Sequence, residues 1–246
     1  MPSSIENATI QPEGVNTELL CTIFSWLGTA FALFLNLTPA VLFINVFKNN
    51  KSHKTIPELM LIFNVLCGLL WFCYWFRMDN PVPCYSALGN TVISLIFSFL
   101  YLYLAVGKGL MKCFFACFIT ADICAQIFYV FGSWIQNIDM VGKIAMIINI
   151  MQYAAPGQSI ISVIKTGNYN LIPITTTIVG VFCSSSWLGF GVIQNNFNAI
   201  LPNSMGLILS LIQIIIYYYF KCTEKPANKN EEELVKVETK ETPEIN

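Results

Sequence analysis

Charge is what this 246-residue chain has least of. Only 11% of its residues are Asp, Glu, Lys or Arg, against about 25% in soluble globular chains. With 55% of residues hydrophobic and 14% aromatic, a soluble domain with an ordinary polar surface is excluded. Histidine occurs once, at His53, and no CxxC pair accompanies the nine cysteines. A zinc centre or a disulfide framework therefore has no ligand pattern to rest on, and no metal site is expected. Cys67, Cys73, Cys113, Cys117, Cys124 and Cys183 all lie in apolar runs, where cysteine acts as a small hydrophobe. No pairing of nucleophile and base can be read, so no catalytic residue, enzyme activity or cofactor is expected. The formal charge of −1 offers nothing to point to nucleic acid as a partner. No cleavable leader is visible either. Glu6, Glu13 and Glu18 precede the first apolar run, where a signal peptide carries basic residues.

What is present is a series of apolar runs long enough to cross a bilayer, which takes ~20 residues. Seven can be read, at about 19–47, 57–77, 84–107, 110–134, 141–165, 172–193 and 198–220. The links between them are short and hold turn or charged residues, so neighbouring spans run antiparallel. Lys48, Lys51 and Lys54, then Lys108 and Lys112, then Lys165, then Lys221 and Lys225 fall in the odd loops and the tail. The even loops hold only Arg77 and Lys143. The positive-inside rule puts the odd loops and the C-terminus in the cytosol and the N-terminus outside. The sequon at Asn7 is then usable for glycosylation, while those at Asn36 and Asn50 are not. The tail, mixed in charge and without an aromatic residue, is expected to be disordered.

The order of landmarks repeats. Pro57 is followed fourteen residues later by Trp71, and Pro173 fourteen residues later by Trp187. Pro39 precedes Pro57 by eighteen residues and Pro156 precedes Pro173 by seventeen. Asn90 follows Trp71 and Asn203 follows Trp187, both one helix further on. Each half thus reads Pro, basic loop, Pro, Trp, Asn over three helices, with the fourth span as linker. Three helices and one linker leave the two triplets parallel, related by an axis along the membrane normal, and sites in such folds lie between the repeats near the midplane. The expected fold is an all-α membrane protein of seven helices in a 3+1+3 order. Its parts are an extracellular N-terminus (1–18), a first triplet (19–107), a linker (108–139), a second triplet (140–221) and a cytosolic tail (222–246).

Several segments resemble the SWEET (MtN3/saliva) family of sugar transporters. They are YAAP, IKTGNYNLIP, SSSWLGFG and NAILPNSMGLILSLIQIIIYYY in the second half, and ALFLNLTPAVLF and KNNKSHKTIP in the first. The resemblance implies a tetrad of hinge prolines at Pro39, Pro57, Pro156 and Pro173. It also implies a pocket with Asn90, Asn203 and Trp187, joined by Asn149, Gln152, Cys183 and Gly68. Ala32 and Leu35 stand where the second half has Asn149 and Gln152. Gly68 occupies a place where serine or tryptophan is usual, which makes Trp71 the candidate for the opposing ring. Amides donate and accept as sugar hydroxyls do, and an aromatic plate covers a sugar's C–H face. Asn36 and Asn64 read as packing contacts. Two acids stand within spans. Glu58 suits a helix N-terminus, and Asp122, in the linker, reads as a structural or subunit contact.

The function expected is facilitative, bidirectional carriage of a mono- or disaccharide by alternating access, without an energy-coupling motif. A homo-oligomer in the plasma membrane is expected, with an endomembrane location open. Two alternatives remain at this level. One is a PQ-loop-type carrier of amino acids or other small solutes, although Pro39-Ala40 and Pro156-Gly157 lack its Pro-Gln pair. The other is a seven-helix receptor, which has no need of a duplicated triplet. The second half, with Asn149 and Gln152, is expected to make more of the polar contacts to substrate.

Overall fold

A computed structural model describes residues 16–49, 58–104, 119–123, 125 and 137–223. Eight α-helices carry the architecture among these residues: α1 (Thr17–Asn36), α2 (Pro39–Asn49), α3 (Glu58–Arg77), α4 (Pro81–Leu104), α5 (Ile138–Gln152), α6 (Ala154–Thr166), α7 (Ile174–Ile193) and α8 (Phe197–Thr223). They make six spans long and apolar enough to cross a membrane, because α1 continues into α2 and α5 into α6. Most of the fourth span, Pro57, Asn7 and the tail beyond Thr223 lie outside the described residues.

The spans begin and end close to where the apolar runs do, with two instructive differences. The third starts at Pro81 rather than 84. Pro81 and Pro83 are tolerated there because the first-turn N–H groups have no partner in the helix. The last helix continues through Cys222 and Thr223, two residues into the segment expected to be tail.

Helix identity here owes little to amphipathic pattern, since nearly every position is apolar. What separates the faces is size and polarity. On α1 the buried residues are Ser25, Gly28, Thr29 and Ala32, spaced i, i+3, i+4 and i+7, while Trp26, Leu27 and Phe34 point outward. On α4 the buried stripe includes Ser86, Ala87, Thr91, Ser94 and Ser98, and Tyr85, Val92, Ile96 and Phe99 are exposed. Lipid solvates large apolar side chains as well as a protein core does. Small residues that let helix backbones approach therefore mark the interfaces. Gly28 shows the need: a Cβ there would lie 2.8 Å from the Trp187 ring.

In each half the third span stands between the other two. α4 packs against α1 and α3, and α8 against α5, α6 and α7. The halves meet through two seams, α1 with α7 and α3 with α5. An axis that carries α1 onto α5 and α3 onto α7 exchanges these seams, as a two-fold requires.

The duplication reaches the backbone. Asp79 (φ 53°) and Asn195 (φ 49°) are the two non-glycine residues with positive φ among the described residues, and they stand 116 apart, as Trp71 and Trp187 do. Both close a helix with the same left-handed cap. Asn80 N donates to Trp75 O at 3.1 Å, and Asn196 N to Gly191 O at 2.9 Å. The entrances match too. Asn16 Oδ1 accepts from Leu19 N and Asn137 Oδ1 from Met140 N, and Glu18 and Asp139 follow in the first turns. Each pairs an N-cap with a favourable helix-dipole charge.

Both first spans break near the proline, directly before Pro39 in one and three residues before Pro156 in the other. α1 ends at Asn36 and the chain turns at Leu37–Thr38, where the carbonyl of Leu35, which Pro39 cannot serve, accepts from Thr38 Oγ1 at 2.7 Å and from Thr38 N at 3.1 Å. The second break falls at Tyr153, whose hydroxyl donates to Pro202 O at 2.9 Å and ties the bend to α8.

Candidate functional site: a cavity between the triplets

Both triplets line one central cavity of ≈ 550 Å³. All eight residues read from the sequence as substrate-binding border it: Asn90, Asn203, Trp187, Asn149, Gln152, Cys183, Gly68 and Trp71. So do Ala32 and Leu35, and two hinge candidates, Pro156 and Pro173. Pro39 is buried but does not border it.

Helical spacing explains the convergence. Asn64, Gly68 and Trp71 are i, i+4 and i+7 on α3 and share one face. Cys183, Ser184 and Trp187 repeat that face on α7, 116 residues on from Cys67, Gly68 and Trp71. Gly68 contributes room rather than contact. A Cβ there would fall 2.5 Å from Thr91 Oγ1 and 3.3 Å from the Thr91 backbone, so α3 and α4 touch where a side chain would stand. Trp187 is held by Gly28 behind it and Phe190 at its edge, with ring centroids 5.5 Å apart and planes at 84°. Trp71 stacks on Trp75 at 5.7 Å.

The end of the cavity remote from the prolines is capped. Cys73, Tyr74, Trp75, Val141, Phe190 and Ala199 form a buried cluster there, with Trp71 and Trp187 packed against it. Tyr74 Oη accepts from Asn196 Nδ2 at 2.8 Å, and Asn198 Nδ2 reaches Asp139 Oδ1 at 3.3 Å. Towards the other end the lining runs down to Pro156, Ser159, Pro173 and Gln213.

No Asp, Glu, Lys, Arg or His is among the described lining residues. Polarity comes from neutral amides and hydroxyls, and many are already paired. Gln152 Nε2 donates to Asn64 Oδ1 at 3.0 Å, across the α3–α5 seam. Asn203 Nδ2 donates to Ala199 O at 2.8 Å, on its own helix. Gln213, 5% exposed, donates to Ser159 Oγ at 3.0 Å and to Pro156 O at 3.3 Å. On the other wall, Ser86 Oγ and Asn90 Oδ1 are buried with no hydrogen-bond partner in the protein. An orphaned buried polar group costs ~1–3 kcal/mol.

Ser86, Tyr153 and Gln213 are among the lining residues that the sequence does not single out, and Asn64, expected to pack, both packs against Gln152 and borders the cavity. Ser86 and Asn64 carried a usable signal, since each lies one turn before a named site residue. Asn36 borders the cavity and also packs as expected, donating to Ala32 O and accepting from Ser94 Oγ. Of the three serines at 184–186, Ser186 bonds its own helix, at Phe182 O.

Comparison with known proteins agrees with this arrangement. Residues 139–225 match a family model described as a sugar efflux transporter for intercellular exchange. The chain is 27% identical over 209 residues to the bidirectional sugar transporter SWEET1 of Arabidopsis thaliana, covering 81% of this chain and 83% of that protein. It is 24% identical over 214 residues to the sugar transporter SWEET1 of Dictyostelium discoideum, covering 83% of this chain and 95% of that protein. The fold matches that of a eukaryotic SWEET transporter solved at 3.7 Å, with a TM-score of 0.75 at 22% identity over 84% of this chain and 99% of that one. The chain is similar to the SWEET (MtN3/saliva) family in sequence and in its 3+1+3 helical fold.

Proposed function

From that similarity we propose that the chain is a facilitative, bidirectional carrier of mono- or disaccharides that works by alternating access. The observation that carries this reading is the cavity on the axis between two parallel triplets. Its described lining holds no charged residue, is rich in amides, and includes the rings of Trp71 and Trp187.

A sugar needs neutral groups that donate and accept, and an apolar plate for its C–H face. An amino acid would place an ammonium and a carboxylate against a lining with no counter-charge, and burying an unpaired charge is costly. This favours a sugar over the zwitterionic cargo of the alternative carrier reading. Asn90 and Asn203 are assigned to the sugar's hydroxyls and Trp187 to its face. Gly68 makes space. Pro39, Pro57, Pro156 and Pro173 are assigned to the bends that let each triplet rock. The buried aromatic cap closes the end that the lysine pattern puts outside the cell. On that orientation the conformation is closed outward, with the protein in the plasma membrane.

The test is uptake and efflux of labelled glucose, fructose and sucrose in cells lacking their own carriers. Expected are flux in both directions, no dependence on a pH gradient, and loss of flux in Asn90→Ala and Asn203→Ala. Flux of an amino acid with none of any sugar would sink the reading.

A further inference from the structure

Three of the four serine and threonine hydroxyls on α4 are hydrogen-bonded: Ser94 Oγ reaches Asn36 Oδ1 on α1, and the other two turn back on their own helix. Thr91 Oγ1 donates to Ala87 O and Ser98 Oγ to Ser94 O, both at 2.8 Å. Thr29 on α1 and Ser186 on α7 do the same. Ser86 does not. It is 3% exposed, borders the cavity, and its Oγ has no partner in the protein. One turn along, Asn90 Oδ1 is in the same condition. Buried polar groups in folded proteins are nearly always bonded, so two neighbouring exceptions on one cavity wall call for a ligand.

We propose that Ser86 is a substrate-contacting residue that sets specificity. With Asn90 it forms a two-point edge that grips a single sugar hydroxyl once the two side chains turn into the cavity from the positions in which their oxygens are buried. The i, i+4 spacing sets the two side chains on one face, with Cβ atoms about 5–6 Å apart. The hydroxyl donates to Asn90 Oδ1 and accepts from the Ser86 hydroxyl, a pairing that a C–H at the same place cannot make. The edge has no copy across the axis. By the Asn90–Asn203 correspondence, Ala199 stands in the place of Ser86, and the Asn203 amide nitrogen is spent on Ala199 O. A pseudo-symmetric cavity would otherwise accept a sugar in two opposed poses, and the Ser86–Asn90 edge selects one. This inference rests on the sugar-carrier reading above.

The test measures KM and maximal flux for labelled D-glucose and its 2-, 3-, 4- and 6-deoxy analogues, in the wild type and in Ser86→Ala. For glucose, Ser86→Ala raises KM about tenfold with maximal flux little changed. For one deoxy analogue, the one lacking the gripped hydroxyl, wild type and variant have the same KM. The purified variant melts no lower than the wild type, since an orphaned group has been removed. An unchanged KM for glucose, an equal rise for every analogue, or a lowered melting temperature would each overturn the assignment of Ser86 while leaving a glucose-carrying wild type intact. A wild type that carries none of these sugars defeats the carrier reading and this one together.

Discussion

The two triplets share a backbone plan and use the cavity differently. The second lines it with more polar side chains, including Asn149, Gln152, Tyr153, Thr177, Asn203 and Gln213, while the first supplies Asn36, Asn64, Ser86 and Asn90. Yet Gln152, Asn203 and Gln213 commit amide protons to Asn64, to Ala199 O, and to Ser159 and Pro156 O. The fully buried cavity atoms left without a protein partner, Ser86 Oγ and Asn90 Oδ1, belong to the first. A count of polar residues is therefore not a count of free hydrogen-bonding capacity.

The sharpest way to break this contrast is to compare the two pocket asparagines. Asn90→Ala should cost about a hundredfold in flux per unit substrate. Asn203→Ala should cost about tenfold, because part of its amide already serves its own helix. Equal losses, or the reverse order, would end the asymmetry argument. Next in size is Gly68→Ser. It drives a side chain into Thr91 and should destabilise the purified protein by ~1–3 kcal/mol, seen as a lower melting temperature. Gly157 meets nothing within 4 Å of an added Cβ, so Gly157→Ala should melt like the wild type.

The seam between the halves offers a smaller effect. Gln152→Leu and Asn64→Leu should each destabilise, and the double variant should recover part of the loss. The coupling should be ~0.6 kcal/mol, as for other hydrogen bonds between membrane helices. Strict additivity in a double-mutant cycle would show that the 3.0 Å bond does not tie the seam. Smallest of all is Lys143→Met. Its ion pair with Asp139 is 2.7 Å long, but the two side chains are 61% and 58% exposed. Such a pair is worth less than about 1 kcal/mol, so flux and melting temperature should both stay close to wild type.

Much of this protein could be read from its residues in order. The spans follow from hydropathy because a bilayer leaves few alternatives to a helix of fixed length. The duplication was visible in Pro39, Pro57, Pro156 and Pro173 with Trp71 and Trp187, since these residues bend helices or fill a fixed place. The matched turns at Asp79 and Asn195 were less visible. Asp and Asn share tolerance of the left-handed region but not spelling, and although Asn80 and Asn196 match, Met78 and Gln194 before the turn do not.

The partners of polar side chains were not legible at all. Asn64 and Gln152 are 88 residues apart, and Tyr153 and the carbonyl it bonds are 49 apart. An amide in an apolar run looks the same in sequence whether it faces a neighbouring helix, its own backbone or a substrate. By itself the sequence determined where helices begin, bend and end, because those are local matters of hydropathy, caps and missing amide protons. Only the tertiary structure decided which amides are spent and which stay free. A hydrogen bond between helices depends on a few tenths of an ångström in how two backbones pack, and that is set by all the small residues along both seams at once.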